Sequence, residues 1–137
     1  MTPSFHASSV SIEDKDEYLL IGLVDDEFAA GDYLMLQRAY EFDEQDRRLG
    51  MDNVYIERND QGYSSYGGIE RFELFPSRVQ VRFDSRGAQL MAGVREMEIS
   101  FEKDRYEDLR KALEKCFKGF SCYSAAAAGS RSAAAFA

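Results

Sequence analysis

Two acidic segments contain the residues of this chain whose types and spacing could support chemistry. The first comprises Asp25, Asp26 and Glu27, and the second Glu41, Asp43, Glu44 and Asp46. Paired carboxylates can act as general acid and base in a hydrolase, although such a pair has no signature in sequence. The second segment lacks the spacing, bend glycine and closing glutamate of a calcium loop. Two further interpretations remain open, namely solvated connectors and a binding surface for a basic partner protein.

Histidine and cysteine chemistry would depend on very few residues. His6 is the single histidine, and the chain has no G-x-S-x-G motif to place a nucleophilic serine. Helical spacing puts Cys116 on an apolar face, which predicts a small buried hydrophobe. Gly67-Gly68 lacks the Lys-Ser/Thr of a phosphate-binding loop, so we interpret this pair as a bulge or tight bend. We therefore predict no catalytic residues, cofactor or metal, and an exposed His6 on an edge strand.

Two tyrosines are candidates for contacts with another protein. Tyr63 and Tyr66 flank Ser64-Ser65 in a stretch rich in turn-forming residues. Tyrosines exposed on loops anchor protein interfaces, because they provide a large contact area at low entropic cost. The alternative interpretation, that both rings pack onto the edge of a sheet, remains open.

Composition limits the function classes. The 137 residues suffice for one globular domain, with 45% apolar and 31% charged residues. A net charge of −8 without any cluster of Lys and Arg argues against nucleic acid binding. The longest apolar run, residues 19–24, is far too short to span a membrane. Residues 1–9 do not resemble a signal peptide. With only Cys116 and Cys122, we expect reduced thiols and a cytoplasmic protein.

Alternation of apolar and polar residues predicts strands along most of the chain. In the second half, Arg78–Phe83 and Glu96–Phe101 alternate strictly and carry opposite charges on their polar faces, so pairing would set Arg against Glu. Residues 72–74 are predicted to form a hairpin with the first of these strands. In the first half we predict a central strand at Tyr18–Val24, an edge strand at 5–12, and strands at 33–38 and 53–58. Asp43 is predicted to cap one helical turn that ends at Gly50.

One amphipathic helix is predicted near the C-terminal end of the domain. Tyr106, Leu109, Ala112, Leu113, Cys116 and Phe117 share one face. Asp104 is the predicted N-cap, with Glu107 completing a capping box, and Gly119 is the predicted stop. A second short helix is predicted near residues 86–91. The expected fold is α+β, with a mostly antiparallel sheet covered on one face by the helix at 104–118. Residues 1–119 form the predicted domain, and the Ala- and Ser-rich residues 120–137 a flexible or expression-derived tail.

Two stretches in the middle of the chain carry a recognisable pattern, the more specific between Gln37-Arg38 and Asp52 and the second containing Tyr66-Gly67-Gly68-Ile69-Glu70. In these stretches the chain resembles the bacterial family called immunity protein 10. Proteins of this family are encoded beside polymorphic or contact-dependent toxins and protect the producing cell by binding the toxin domain. The resemblance implies no catalytic residues and provides no set of functional residues to transfer.

The leading hypothesis is therefore a non-enzymatic immunity protein that neutralises a toxin as a stoichiometric complex. The carboxylates of both acidic segments, with Tyr63 and Tyr66, are the candidate toxin-binding residues. Two alternatives remain: a structural module that oligomerises, as a homodimer for instance, without any toxin partner, and a small carboxylate-dependent hydrolase.

Overall fold

The computed structural model describes residues 2–25 and 31–126 and shows an α+β fold with two mostly antiparallel sheets. The first five strands are β1 (Ser4–Ala7), β2 (Ser9–Asp14), β3 (Tyr18–Val24), β4 (Tyr33–Ala39) and β5 (Tyr55–Arg58). The next five are β6 (Asp60–Tyr66), β7 (Ile69–Phe75), β8 (Arg78–Phe83), β9 (Glu96–Phe101) and β10 (Tyr123–Ala125). The helices are α1 (Glu44–Arg48), α2 (Ser85–Leu90) and α3 (Tyr106–Cys116), the last preceded by a 3₁₀ turn at Lys103–Arg105.

The strands divide into two five-stranded sheets, whereas a single sheet was predicted. Sheet I has the order β1-β9-β8-β7-β10, and its two edge strands run parallel to their neighbours. Sheet II is the antiparallel meander β2-β3-β4-β5-β6. One hydrophobic core contains the inward-facing side chains of both sheets, among them Leu36 of β4 and Val79 of β8. Each sheet therefore has an inner face in this core and an outer face away from it.

The predicted edge strand at 5–12 is divided between the two sheets. β1 pairs with β9, and β2 pairs antiparallel with β3. The division follows the side chains, because Ala7 and Val10 are both buried although strict alternation would put them on opposite faces. A break at Ser8 resolves this conflict, and residues 4–14 form an edge of each sheet.

Other strand predictions are confirmed. β7 and β8 form the predicted hairpin, and β8 pairs with β9 so that Arg82 lies opposite Glu96. Tyr18–Val24 is an inner strand of sheet II.

The segment predicted to be a tail contributes a strand to the fold. Tyr123–Ala125 runs parallel to β7 as β10. No helix in residues 2–25 and 31–126 is long and apolar enough to cross a membrane.

Helix α3 begins differently from the prediction. Asp104 is not its N-cap; it lies in the 3₁₀ turn, and Arg105 occupies the N-cap position without a side-chain cap. The Arg105 guanidinium instead bonds to Asp108 at 2.8 Å and donates to the Val10 carbonyl at 2.8 Å, which ties the start of the helix to β2. Leu109, Ala112, Leu113 and Cys116 of α3 are buried in the core, and the helix contacts β2, β3 and β4.

Buried Arg38 holds the other end of α3. Its side chain extends from β4 toward the core and is only 8% exposed. Its guanidinium donates to the carbonyls of Cys116 and Lys118 at 3.2 and 2.8 Å, and it lies over the rings of Phe42 and Phe120. These contacts satisfy carbonyls that the end of a helix leaves without partners.

Candidate functional site

Asp25, the described residue of the first acidic segment, and the second acidic segment lie at opposite ends of sheet II. Asp25 follows β3, and its amide donates to the Asp32 carbonyl at 2.9 Å, just before β4. Glu41 and α1 follow the other end of β4. Because β4 contains seven residues, about 3.3 Å apart, roughly 20 Å separates the two ends. Asp26 and Glu27 lie outside the described residues. The candidate carboxylates among the described residues therefore do not meet at one point.

Two carboxylates of the second segment have a structural role. The Asp43 carboxylate accepts from the Asp46 amide at 2.7 Å, and the Asp46 carboxylate accepts from the Asp43 amide at 3.1 Å. This capping box begins α1, as predicted for Asp43. Glu41 and Glu44 are exposed, and neither forms an ion pair within the described chain. These two are thus the carboxylates of this segment that are most available to a partner.

Of the two candidate tyrosines, only Tyr66 lies near the second acidic segment. Tyr66 and Asp46 line a cavity of about 140 Å³, together with Gln37, Met51, Asn53 and Tyr55. The rings of Tyr66 and Tyr55 are 5.0 Å apart between centroids. Tyr63 is 42% exposed on the irregular part of β6, where the pairing with β5 shifts register. The structure thus brings together Asp46 and Tyr66 but neither Tyr63 nor Asp25.

The outer face of sheet II carries a group of aromatic and aliphatic side chains, which we call the tyrosine face. It consists of Leu20, Tyr33, Met35, Tyr55, Glu57 and Tyr66. Strand pairing sets Met35 opposite Glu57 and Tyr55 opposite Tyr66, while Leu20 lies opposite Gln37 on the same face. The alternate residues, such as Leu36 and Ile56, point into the core. All members except Glu57 are half-buried. The outward-facing half of a strand is usually polar, so an apolar group here is informative.

Glu57 organises the tyrosine face. The Tyr33 hydroxyl donates to one oxygen of its carboxylate at 2.5 Å, and the Tyr55 hydroxyl donates to the other at 2.6 Å. The bond to this carboxylate, with burial, raises the pKa of Tyr33 to about 12. Burial and the same carboxylate also raise the pKa of Tyr55. Glu57 is 8% exposed, and no basic side chain of the described chain forms an ion pair with it.

Sequence reasoning did not identify Tyr33, Tyr55 or Glu57. The available signal was the alternation in β4, where Tyr33 and Met35 alternate with Leu34 and Leu36. That pattern shows two apolar faces on one strand, but it does not show which face remains outside the core.

The outer face of sheet I is different, because its charges compensate one another. The Arg78 Nε lies 2.9 Å from a carboxylate oxygen of Glu98. The Arg82 Nε lies 3.0 Å from a carboxylate oxygen of Glu70 and 3.7 Å from one of Glu96. Such exposed pairs contribute little to stability, but they leave the face close to neutral.

The charge of the chain is divided unevenly along the sequence. Residues 9–66, which build sheet II and its connectors, contain 15 carboxylates and 5 basic side chains. The remaining residues contain 10 carboxylates and 12 basic side chains. The first part therefore has a net charge of −10 and the rest +2, which together give the −8 of the whole chain.

The residues considered for catalysis lie apart from the tyrosine face. His6 is exposed on edge strand β1, as predicted, with Nδ1 2.8 Å from the Ser100 hydroxyl. Cys116 is buried, and burial raises the pKa of its thiol to about 12, so the reactive thiolate is disfavoured. Gly67 and Gly68 both have positive φ in the tight bend between β6 and β7. In the part of the chain that the structure describes, no three His, Cys, Asp or Glu side chains group to hold a metal ion.

Comparison with known proteins identifies a family. A family model described as Immunity protein 10 matches residues 6–109, from β1 into α3. No curated protein and no solved structure matches the chain. The matched residues include the whole of sheet II and the tyrosine face.

Proposed function

Because the chain belongs to the immunity protein 10 family, we propose that it binds a cognate bacterial toxin domain and neutralises it as a stoichiometric complex. The family match is the observation that carries this proposal. The proposed role is that of a binding partner without catalysis, cofactor or metal, acting in the cytoplasm of the producing cell.

The proposed mechanism is occlusion of the active site or substrate groove of the toxin. A basic toxin surface would meet the carboxylates of sheet II, and the opposite charges would accelerate association. If the toxin acts on nucleic acid, carboxylates would occupy the positions of phosphates. The candidate contacts are Asp25, Asp26, Glu27, Glu41, Asp43, Glu44 and Asp46, with Tyr63 and Tyr66.

Glu41 and Glu44 are the strongest of these candidates, because both are exposed and neither is used by the capping box of α1. Replacing both with lysine reverses charge without removing a cap. We expect this double variant to bind the toxin domain more weakly at low salt, with a smaller difference at high salt. Unchanged affinity at low salt, in this variant and in one with Asp25, Asp26 and Glu27 reversed, would exclude the acidic segments as the toxin-binding surface.

The function itself is tested by coexpression with the toxin domain encoded immediately upstream of the gene. A tagged copy of either protein should retain the other through purification, and cells that make both should grow while cells that make the toxin alone should not. If several neighbouring toxin candidates yield neither a complex nor rescued growth, the oligomerising module becomes the better hypothesis.

A further inference from the structure

We propose that the tyrosine face of sheet II is the surface that receives the toxin, and that a basic side chain of the toxin binds there to Glu57. The inference rests on the proposed function and adds to it the surface and the kind of partner group. Toxin contact would then centre on the outer face of a sheet, with Asp25 and the second acidic segment at its margins.

The first support is the composition and rigidity of this face. Half-buried tyrosines beside Met35 and Leu20 resemble the centre of a protein interface, where aromatic residues and methionine are enriched. Bonds to Glu57 fix the hydroxyl ends of Tyr33 and Tyr55 before any partner arrives. Binding therefore requires little further ordering of these side chains, which favours affinity.

The second support is the charge of Glu57. A carboxylate removed from water is costly unless hydrogen bonds and an opposite charge compensate it. Two tyrosine hydroxyls supply the hydrogen bonds, but no side chain of the described chain supplies the opposite charge. An arginine or lysine of the partner would supply it and would also contact the faces of the flanking aromatic rings.

The third support is the distribution of charge over the molecule. The part of the chain that builds sheet II has a net charge of −10, and the remainder has +2. A basic partner is therefore attracted to sheet II. The outer face of sheet I, with Arg78 and Arg82 paired to glutamates, offers it no comparable attraction.

The test places an arginine where the partner's basic group would bind. Met35 lies directly opposite Glu57 in the β4–β5 ladder and is half-buried on the same face. Residues paired in this way have Cβ atoms about 5 Å apart, so the guanidinium of Met35→Arg can reach the Glu57 carboxylate. We expect this variant to fold with an unchanged or higher Tm, and to bind the toxin domain about 100-fold more weakly. A variant that lost binding because it unfolded would have a lower Tm, so this pair of results distinguishes a blocked surface from loss of the fold.

Sheet I provides a matched control in Gln80→Arg. Gln80 is half-buried at the centre of the other outer face, and it pairs with Glu73 and Glu98. The control therefore introduces the same charge beside glutamates on the opposite sheet. We expect its affinity for the toxin domain to stay within threefold of the unmodified protein.

A second measurement uses the unmodified protein in case Met35→Arg does not fold. The methionine methyl groups are labelled with ¹³C, and the toxin domain is added to saturation. The chemical shift of Met35 should change, whereas that of Met97, which is buried on the inner face of sheet I, should not. If the unmodified protein does not bind the toxin domain, the proposed function fails. If it binds while Met35→Arg binds within threefold, or while the Met35 resonance stays unchanged, only the assignment of this surface is overturned.

Discussion

At the scale of single residues, Arg38 shows how a charged side chain can join two elements from inside the core. It lies within the residues that match the immunity protein 10 family model, and in the structure its guanidinium contacts the end of α3. Its sequence context gave no indication of this role, because the carbonyls it bonds are about 80 residues away. A non-local bond of this kind cannot be predicted from local pattern.

Replacing Arg38 with methionine should destabilise the protein. The substitution keeps apolar volume but leaves the Cys116 and Lys118 carbonyls without their donor, which should lower the free energy of unfolding by about 2–4 kcal/mol. Urea denaturation measures this change. Arg48→Met, in exposed helix α1, is the control and should cost no more than about 0.5 kcal/mol. Equal losses in the two variants would contradict the role assigned to Arg38.

The Tyr33–Glu57 bond should be detectable in alkaline unfolding. The pKa of Tyr33 is raised in the folded state to about 12, from about 10 in an unfolded chain. A raised folded-state pKa contributes stability below pH 10 that is lost as the pH rises through 12. Tyr33→Phe should therefore lose less stability than the unmodified protein between pH 10 and 12, as measured by urea denaturation at each pH. Identical pH profiles would show that the hydroxyl does not bond to the carboxylate.

At the scale of elements, helix caps were predicted only in part, and tertiary contacts explain one of the two errors. Asp43 caps α1 as predicted. Asp104 does not cap α3, since Arg105 connects the start of that helix to β2. Asp84 was not identified, yet its carboxylate caps α2 by accepting from the Gly87 amide at 2.8 Å. The break at Ser8 was not predicted, because the burial of both Ala7 and Val10 becomes known only from the arrangement of the two sheets.

Substitutions at Asp84 and Asp104 test which of the two aspartates caps a helix. Asp84→Ala should lower the free energy of unfolding by about 1 kcal/mol, because the Gly87 amide loses its acceptor. Asp104→Ala is the matched control and should change it by less than about 0.5 kcal/mol. Denaturant midpoints measure both, and the reverse order of effects would restore Asp104 as the cap of α3.

At the scale of the whole molecule, local pattern predicted most strands but not their division into two sheets. Alternation in β8 and β9 fixed their pairing, because opposite charges on the polar faces indicate neighbours. Alternation in β4 did not show that Tyr33 and Met35 face outward, because both faces of that strand are apolar. The candidate site was therefore only partly predicted: the acidic connectors and Tyr66 were named, while Glu57 and its tyrosines required the fold.

The division of charge is also a property of the whole molecule. Net charge alone indicated only an acidic protein, whereas assigning residues to sheets shows that the part that builds sheet II carries all of the excess negative charge. A partner would experience this difference before contact, because electrostatic attraction orients association over about a Debye length, roughly 8 Å in physiological salt.

The most direct test of the central claim is the molar ratio at which this protein rescues cells from a candidate cognate toxin. The two proteins are expressed from separately inducible promoters and quantified in the same cells, with growth rate as the readout. Neutralisation by a stoichiometric complex predicts that growth returns as the ratio reaches about one. Rescue at ratios far below one would indicate enzymatic turnover, and growth arrest at every ratio would contradict an immunity function for this toxin.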